Sequence, residues 1–219
     1  MPETKKSASN APIYIILLFI FLLIGGIGYL VYKNSQASKP PQKDKVVQKT
    51  TTYVANPQGG DFTLKSADGP VSLSDFKGKV VLMFFGFTTC TNACPVGMME
   101  MTNAFSLLSE DELKNVQGLF ISIDPERDKL PALKEYGHYF HPNILGITGT
   151  KEEVAKVAAK FGVMYSKEKL VNSELGYGFS HTSTIYLVNP QGIFSDSFVY
   201  GTAPEIIADE VKYLLKKKE

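Results

Sequence analysis

Cys90 and Cys94 are the two thiols of this 219-residue chain, and both fall in the segment GFTTCTNACP, directly after an apolar run and directly before a stretch of helical character. Side chains four apart on one helical turn lie about 5–6 Å from each other, and a disulfide needs Cα separations of roughly 4.4–6.8 Å. The pair can close a disulfide or chelate one soft ion, but not both at once. Reactive groups in open α/β sheets gather at the carboxyl ends of strands. A helix N-terminus also favours negative charge, so Cys94, next to the helix start, is expected to ionise more easily than a free thiol of pKa about 8.5. A third metal ligand has to come from the three histidines, His138, His141 and His181. His181 opens the segment HTSTIYLV, and a loop at that strand end can bring its ring back to the cysteines. It is therefore the favoured ligand. Two thiolates and an imidazole select Cu(I), hold Cu(II) when a further weak ligand is present, and also accept zinc.

Other groups with chemical potential have plainer readings. Glu135, His138 and His141 follow a spacing of three, which imitates a metal-binding helix face but reads as a solvated face running into Pro142. Met98, Met99 and Met101 lie beside the cysteines and read as helix packing. Asp124-Pro125-Glu126-Arg127-Asp128 is a turn and helix-start signal on the same rim, where it can also form part of a partner surface. Lys and Arg number 23 against 22 Asp and Glu, and Arg127 is the single arginine, so the chain lacks the basic field of a nucleic-acid binder. Two cysteines are too few for a disulfide-built scaffold or a four-thiolate zinc site. With 44% hydrophobic and 21% charged residues, the composition is that of a globular protein.

Residues 1–10 form a short polar tail, expected on the cytoplasmic side. Residues 11–32 carry no charge, and these 22 positions at about 1.5 Å each cross a hydrocarbon core of roughly 30 Å. They read as a single transmembrane anchor, too long for the apolar region of a cleaved signal peptide and with no cysteine after it for lipid attachment. Lys5 and Lys6 precede the span and five lysines follow it. Charge counting alone would keep the C-terminal part in the cytoplasm, although a large folded domain can translocate against such a bias. The N-terminus is neither Arg-rich nor amphipathic, which favours a bacterial inner membrane over a mitochondrial one. Residues 33–59 are a polar tether. Residues 60–219 form one compact domain. Its pattern is a hairpin over 62–73 around Asp68-Gly69, a buried strand at 80–87, a helix after Pro95, and a second buried strand at 116–123. A helix at 131–140, the strand ILGIT, a helix at 151–163, a strand at 183–188, a turn at 189–192, the strand IFSDSFVY and a closing helix at 204–217 follow. Strands alternating with helices imply a mixed α/β sheet with helices on both faces.

Four ordered segments, GKVVLMFFGFTTCTNACP, FISIDPERD, ILGITGT with AAKFGVMY, and SHTSTIYLVNPQG, resemble the Sco/SenC family, membrane-anchored copper-handling proteins that assist cytochrome c oxidase assembly. The resemblance runs over residues 60–215. It implies a thioredoxin-like fold in the periplasm, copper held by Cys90, Cys94 and His181, and interconversion of Cys90 and Cys94 between dithiol and disulfide. It also implies delivery to the copper-bearing subunit of cytochrome c oxidase, with another periplasmic copper chaperone or a thiol reductant as further partners. Ser180 departs from the pattern, since the family commonly has an acidic residue just before the histidine, and this bears on how the imidazole is oriented. A metallochaperone rather than an enzyme is expected. The main alternative is a thiol-disulfide oxidoreductase that reduces the cysteines of the oxidase copper site, although three residues separate these thiols instead of two. A peroxiredoxin would need a proline where Phe87 stands, and a copper sensor would require no transfer at all.

Overall fold

The computed structural model describes residues 58–171 and 173–217, together with positions 22, 25–30, 32 and 33 near the N-terminus. The expected tail at 1–10, most of the anchor at 11–32 and most of the tether at 33–59 lie outside the described residues. The described positions of the expected anchor are helical and exposed. Among the described residues no helix is long and apolar enough to cross a membrane. The chain divides into Met1–Thr50 and Thr51–Glu219, and every element labelled below belongs to the second unit.

The hairpin predicted at 62–73 is β1 (Thr63–Ser66) and β2 (Gly69–Ser72). The two long apolar runs become β3 (Val80–Gly86) and β4 (Val116–Ser122), and ILGI becomes β5 (Ile144–Ile147). These three are parallel, while β8 (Thr184–Val188) runs antiparallel between β3 and β9 (Phe194–Val199), giving the sheet order β5-β4-β3-β8-β9. All seven residues of β3 are buried, as required of a central strand covered on both faces. Successive side chains point to opposite faces. Phe84 packs under Gly97 of α1 (Ala93–Ser106), whereas Phe85 meets Phe161, just past α4 (Lys151–Lys160). Helices therefore cover both faces, as expected. The remaining helices are α2 (Glu110–Leu113), α3 (Leu130–Phe140) and α5 (Pro204–Lys216).

Three sequence expectations are corrected. Helix α1 begins at Ala93, before Pro95, because the first-turn N–H groups have no intrahelical acceptor and proline is tolerated there. Cys94 is thus inside the helix and Cys90 outside it. Helix α4 stops at Lys160, three residues short of the prediction, since Gly162 at φ +67° supplies the left-handed turn that ends it. Finally, a hairpin not predicted at all, β6 (Tyr165–Lys169) and β7 (Tyr177–His181), precedes β8. His181 ends β7 and does not begin the strand that follows.

The fit at Gly97 is tight. A Cβ there would sit 2.4 Å from Cε2 of Phe84, which is itself 1% exposed and has nowhere to move. Gly97→Ala is expected to destabilise the fold by about 1–3 kcal/mol, the usual cost of overpacking, measured as a lowered midpoint of urea unfolding.

Candidate metal centre

Topology brings three distant segments to one end of the sheet. The cysteine loop leaves the C-terminal end of β3, and the loop at 124–128 leaves the same end of the parallel β4, with Gly86 in register with Ser122 and Ile123 N donating to Gly86 O at 2.8 Å. β8 runs antiparallel to β3, so its N-terminal end, three residues after His181, arrives there too. The ligand atoms of Cys90, Cys94 and His181 all lie within 4.8 Å of one another, the one such group of histidine, cysteine and acidic residues among the described residues. Two bonds of roughly 2.0–2.3 Å span up to about 4.6 Å, so one ion can reach all three atoms after small adjustments. Gly86 makes room for this, because a Cβ there would lie 2.7 Å from Cys94 Sγ.

The imidazole is oriented from behind. Its Nδ1 lies 3.1 Å from the carbonyl of Thr182, and a carbonyl only accepts, so Nδ1 carries the proton. Nε2 then presents its lone pair 3.4 Å from Cys94 Sγ. This is the arrangement that fixes tautomer and ring direction in metal-binding histidines. Phe84 and Phe87 meet the ring edge-on at 6.1 and 5.9 Å. Ser180 is exposed on the opposite side of β7, so the orienting role passes to the Thr182 backbone and not to the residue before the histidine.

The two thiols differ in the opposite sense from the sequence expectation. Cys94 is fully buried and Cys90 half-buried. The hydrogen bond with Cys94 holds the Cys90 thiol well below its ordinary range, and the backbone N–H groups of Cys94 and Asn92 act in the same direction. Sharing its proton with Cys90, together with burial, pushes Cys94 up. The helix N-terminus does aim its amides at sulfur, but the amide of Cys94 donates to Cys90 Sγ at 3.4 Å. Cys90 is thus the thiolate of the pair.

Asp124, Arg127 and Asp128, read from sequence as a turn and a rim surface, are largely buried. Asp128 accepts from Thr88 N at 3.0 Å, Thr88 Oγ1 at 2.6 Å and Ser122 Oγ at 2.6 Å, tying down the start of the cysteine loop. Thr88 gave no sequence signal, since a single threonine in a loop has no periodicity to betray it. Glu126 alone of the acidic groups is exposed, pairing with Lys151 and Lys167. Of the histidine and methionine readings, packing holds for Met98 and Met101 but not for Met99, and His141 is partly buried, not on a solvated face. His141 accepts from Asn143 N at 3.0 Å and packs on Phe105, away from the thiols. Met98 and Met101 are fully buried in the core, and Met99 faces solvent.

A mixed α/β sheet with a dithiol at a strand-to-helix junction and an imidazole folded over it defines a thioredoxin-like protein equipped to bind a soft metal ion. The SCO1/SenC family model matches residues 50–216, and the chain belongs to that family. The SCO2-like protein of Rickettsia felis is 33% identical over 200 residues, covering 90% of this chain and 95% of the relative. Among solved structures, copper-bound ScoI of Arabidopsis thaliana is similar with a TM-score of 0.64 and 32% identity, over 73% of this chain and 98% of that one. BsSco, described as carrying a disulfide switch and as a member of the Sco family of cytochrome c oxidase assembly proteins, has a TM-score of 0.55 and 30% identity over 74% of this chain and 95% of its own.

The asymmetry of the thiols predicts their reactivity. In the reduced, metal-free protein, iodoacetamide should add once, at Cys90, at a rate nearly flat between pH 6 and 8. Peptide mass mapping reads the site. Modification of Cys94 first, or a rate falling tenfold per pH unit below about 8.5 as for a free thiol, would contradict the assignment.

Proposed function

We propose that the protein is a metallochaperone that carries one copper ion on Cys90, Cys94 and His181 and gives it by ligand exchange to the binuclear copper centre of cytochrome c oxidase. The observation that carries this reading is the convergence of two sulfurs and a pre-oriented Nε2 within 4.8 Å of one another, in a chain whose relatives include copper-bound structures. Soft thiolates with one imidazole suit Cu(I), and Cu(II) is also accommodated with a further weak ligand. An open cavity of about 390 Å³ lies at the His181 end of the β6–β7 hairpin, lined by Met164, Tyr165, Ser166, Ser180, His181 and Thr182. In this reading residues 11–32 anchor the chain in a bacterial inner membrane, residues 33–59 act as a tether, and residues 60–219 work in the periplasm on the same side as the recipient site.

A second reading is supported by the thiol asymmetry. The Cys90 thiolate can attack a disulfide of the oxidase copper site, forming a mixed disulfide. Cys94 then displaces the target sulfur, leaving a Cys90–Cys94 disulfide and a reduced target dithiol, two electrons and two protons having moved. His181→Ala separates the two, because electron exchange survives without the imidazole.

Titration of the reduced protein with Cu(I) against a competing chelator should give one site. Cys90→Ala, Cys94→Ala and His181→Ala should each weaken it by at least tenfold, since the remaining ligands cannot complete the coordination. Affinity unchanged in any of the three removes that residue from the site.

A further inference from the structure

We propose that Arg127 is a positioning residue for the metal centre: its guanidinium pins the β6–β7 hairpin to the loop that also supports the cysteine loop, and so keeps the His181 ring within reach of both sulfurs. This rests on the reading of Cys90, Cys94 and His181 as the ligands.

The hairpin needs such a tether. Strands β6 and β7 pair only with each other, as a separate two-stranded sheet, and an isolated hairpin is marginal in water. Four of the five residues of β6 are exposed. Tyr177, Phe179 and His181 share one face of β7 by the two-residue period, and Phe179 lies 5.4 Å from Phe87 in the cysteine loop. Arg127 holds the other end of that face. Its Nη1 donates to the carbonyls of Tyr177 at 3.0 Å and Leu175 at 3.4 Å, and its Cζ lies 3.8 Å from the Tyr177 ring centroid. On its far side Nε donates to Asp124, a carboxylate 1% exposed, whose Oδ1 also accepts the Tyr177 hydroxyl at 3.0 Å.

Asp124 is continuous with the support of the thiols. Its amide donates to Ser122 Oγ at 3.1 Å, and that hydroxyl donates to Asp128, the residue that grips Thr88. The two aspartates at the ends of one five-residue loop thus hold the two halves of the site, one the sulfurs and the other, through Arg127, the imidazole. Lysine cannot replace the arginine, because a point charge lacks the planar fork that reaches a carboxylate, two carbonyls and a ring face together. The Lys167–Glu126 pair beside it is exposed and offers a weak alternative tether.

The experiment is a double-mutant cycle on the full-length reduced protein, with Cu(I) affinity read by chelator competition. Arg127→Ala is expected to weaken Cu(I) binding about 10–100-fold, the range for residues that orient a metal ligand. In a His181→Ala background the same change should alter affinity by less than twofold, because Arg127 acts through the ring it positions. Arg127→Lys should show the same His181-dependent loss and serves as the measure should R127A fail to fold. Wild-type affinity in a folded Arg127 variant, with His181→Ala weakened, overturns the proposal alone. An equal loss in both backgrounds also overturns it, since it marks general damage to the fold. Wild-type affinity in His181→Ala overturns the ligand reading and the proposal with it.

Discussion

A single contact sets the terms for the rest of the molecule: the ring nitrogen of His181 facing the sulfur of Cys94, 87 residues away in sequence and 3.4 Å away in space. Sheet topology makes it possible. β3 and β4 are parallel and deliver two loops to one edge, while β8 runs the other way and delivers its preceding residues to that same edge. The junction of parallel and antiparallel pairing, at the centre of the sheet, is therefore where the chemistry has to be. Ligands in open α/β sheets collect at such strand ends for the same geometrical reason.

The site is built so that its shape does not wait for an ion. Asp128 takes three hydrogen bonds while 2% exposed, and bonds to a charged group contribute about 1.5–3 kcal/mol each. The imidazole is turned by a backbone carbonyl and flanked by two phenylalanine rings. Against this rigid frame the two sulfurs are unequal. Cys94 is sealed beneath Gly86 and α1, and Cys90 and His181 are partly exposed. A cargo held by one buried and two accessible ligands can be reached by competing ligands without the fold opening, which suits exchange better than storage.

Much of this was legible in the residues. The all-apolar runs at β3 and β4 identified buried strands because a strand covered on both faces has no alternation to show. The cysteine pair at a strand-to-helix junction and the choice of His181 over His138 and His141 followed from chemistry and order along the chain. The hairpin β6–β7 was not legible. Its YSKEK strand is polar on both faces, and what organises it, Phe179 on Phe87 and Arg127 on Tyr177, is tertiary. The sense of the thiol asymmetry was also hidden. Helix position argued for Cys94 as the thiolate, but burial and the shared proton outweigh the field of the helix end. Asp128 and Thr88 were invisible as a pair because 40 residues separate them.

The account stands most directly on X-ray absorption at the copper edge of the Cu(I)-loaded, reduced protein. Two sulfur scatterers and one imidazole nitrogen around a single copper is the predicted coordination. Copper bound by sulfur alone, with no imidazole shell and no change when His181 is replaced, would contradict it.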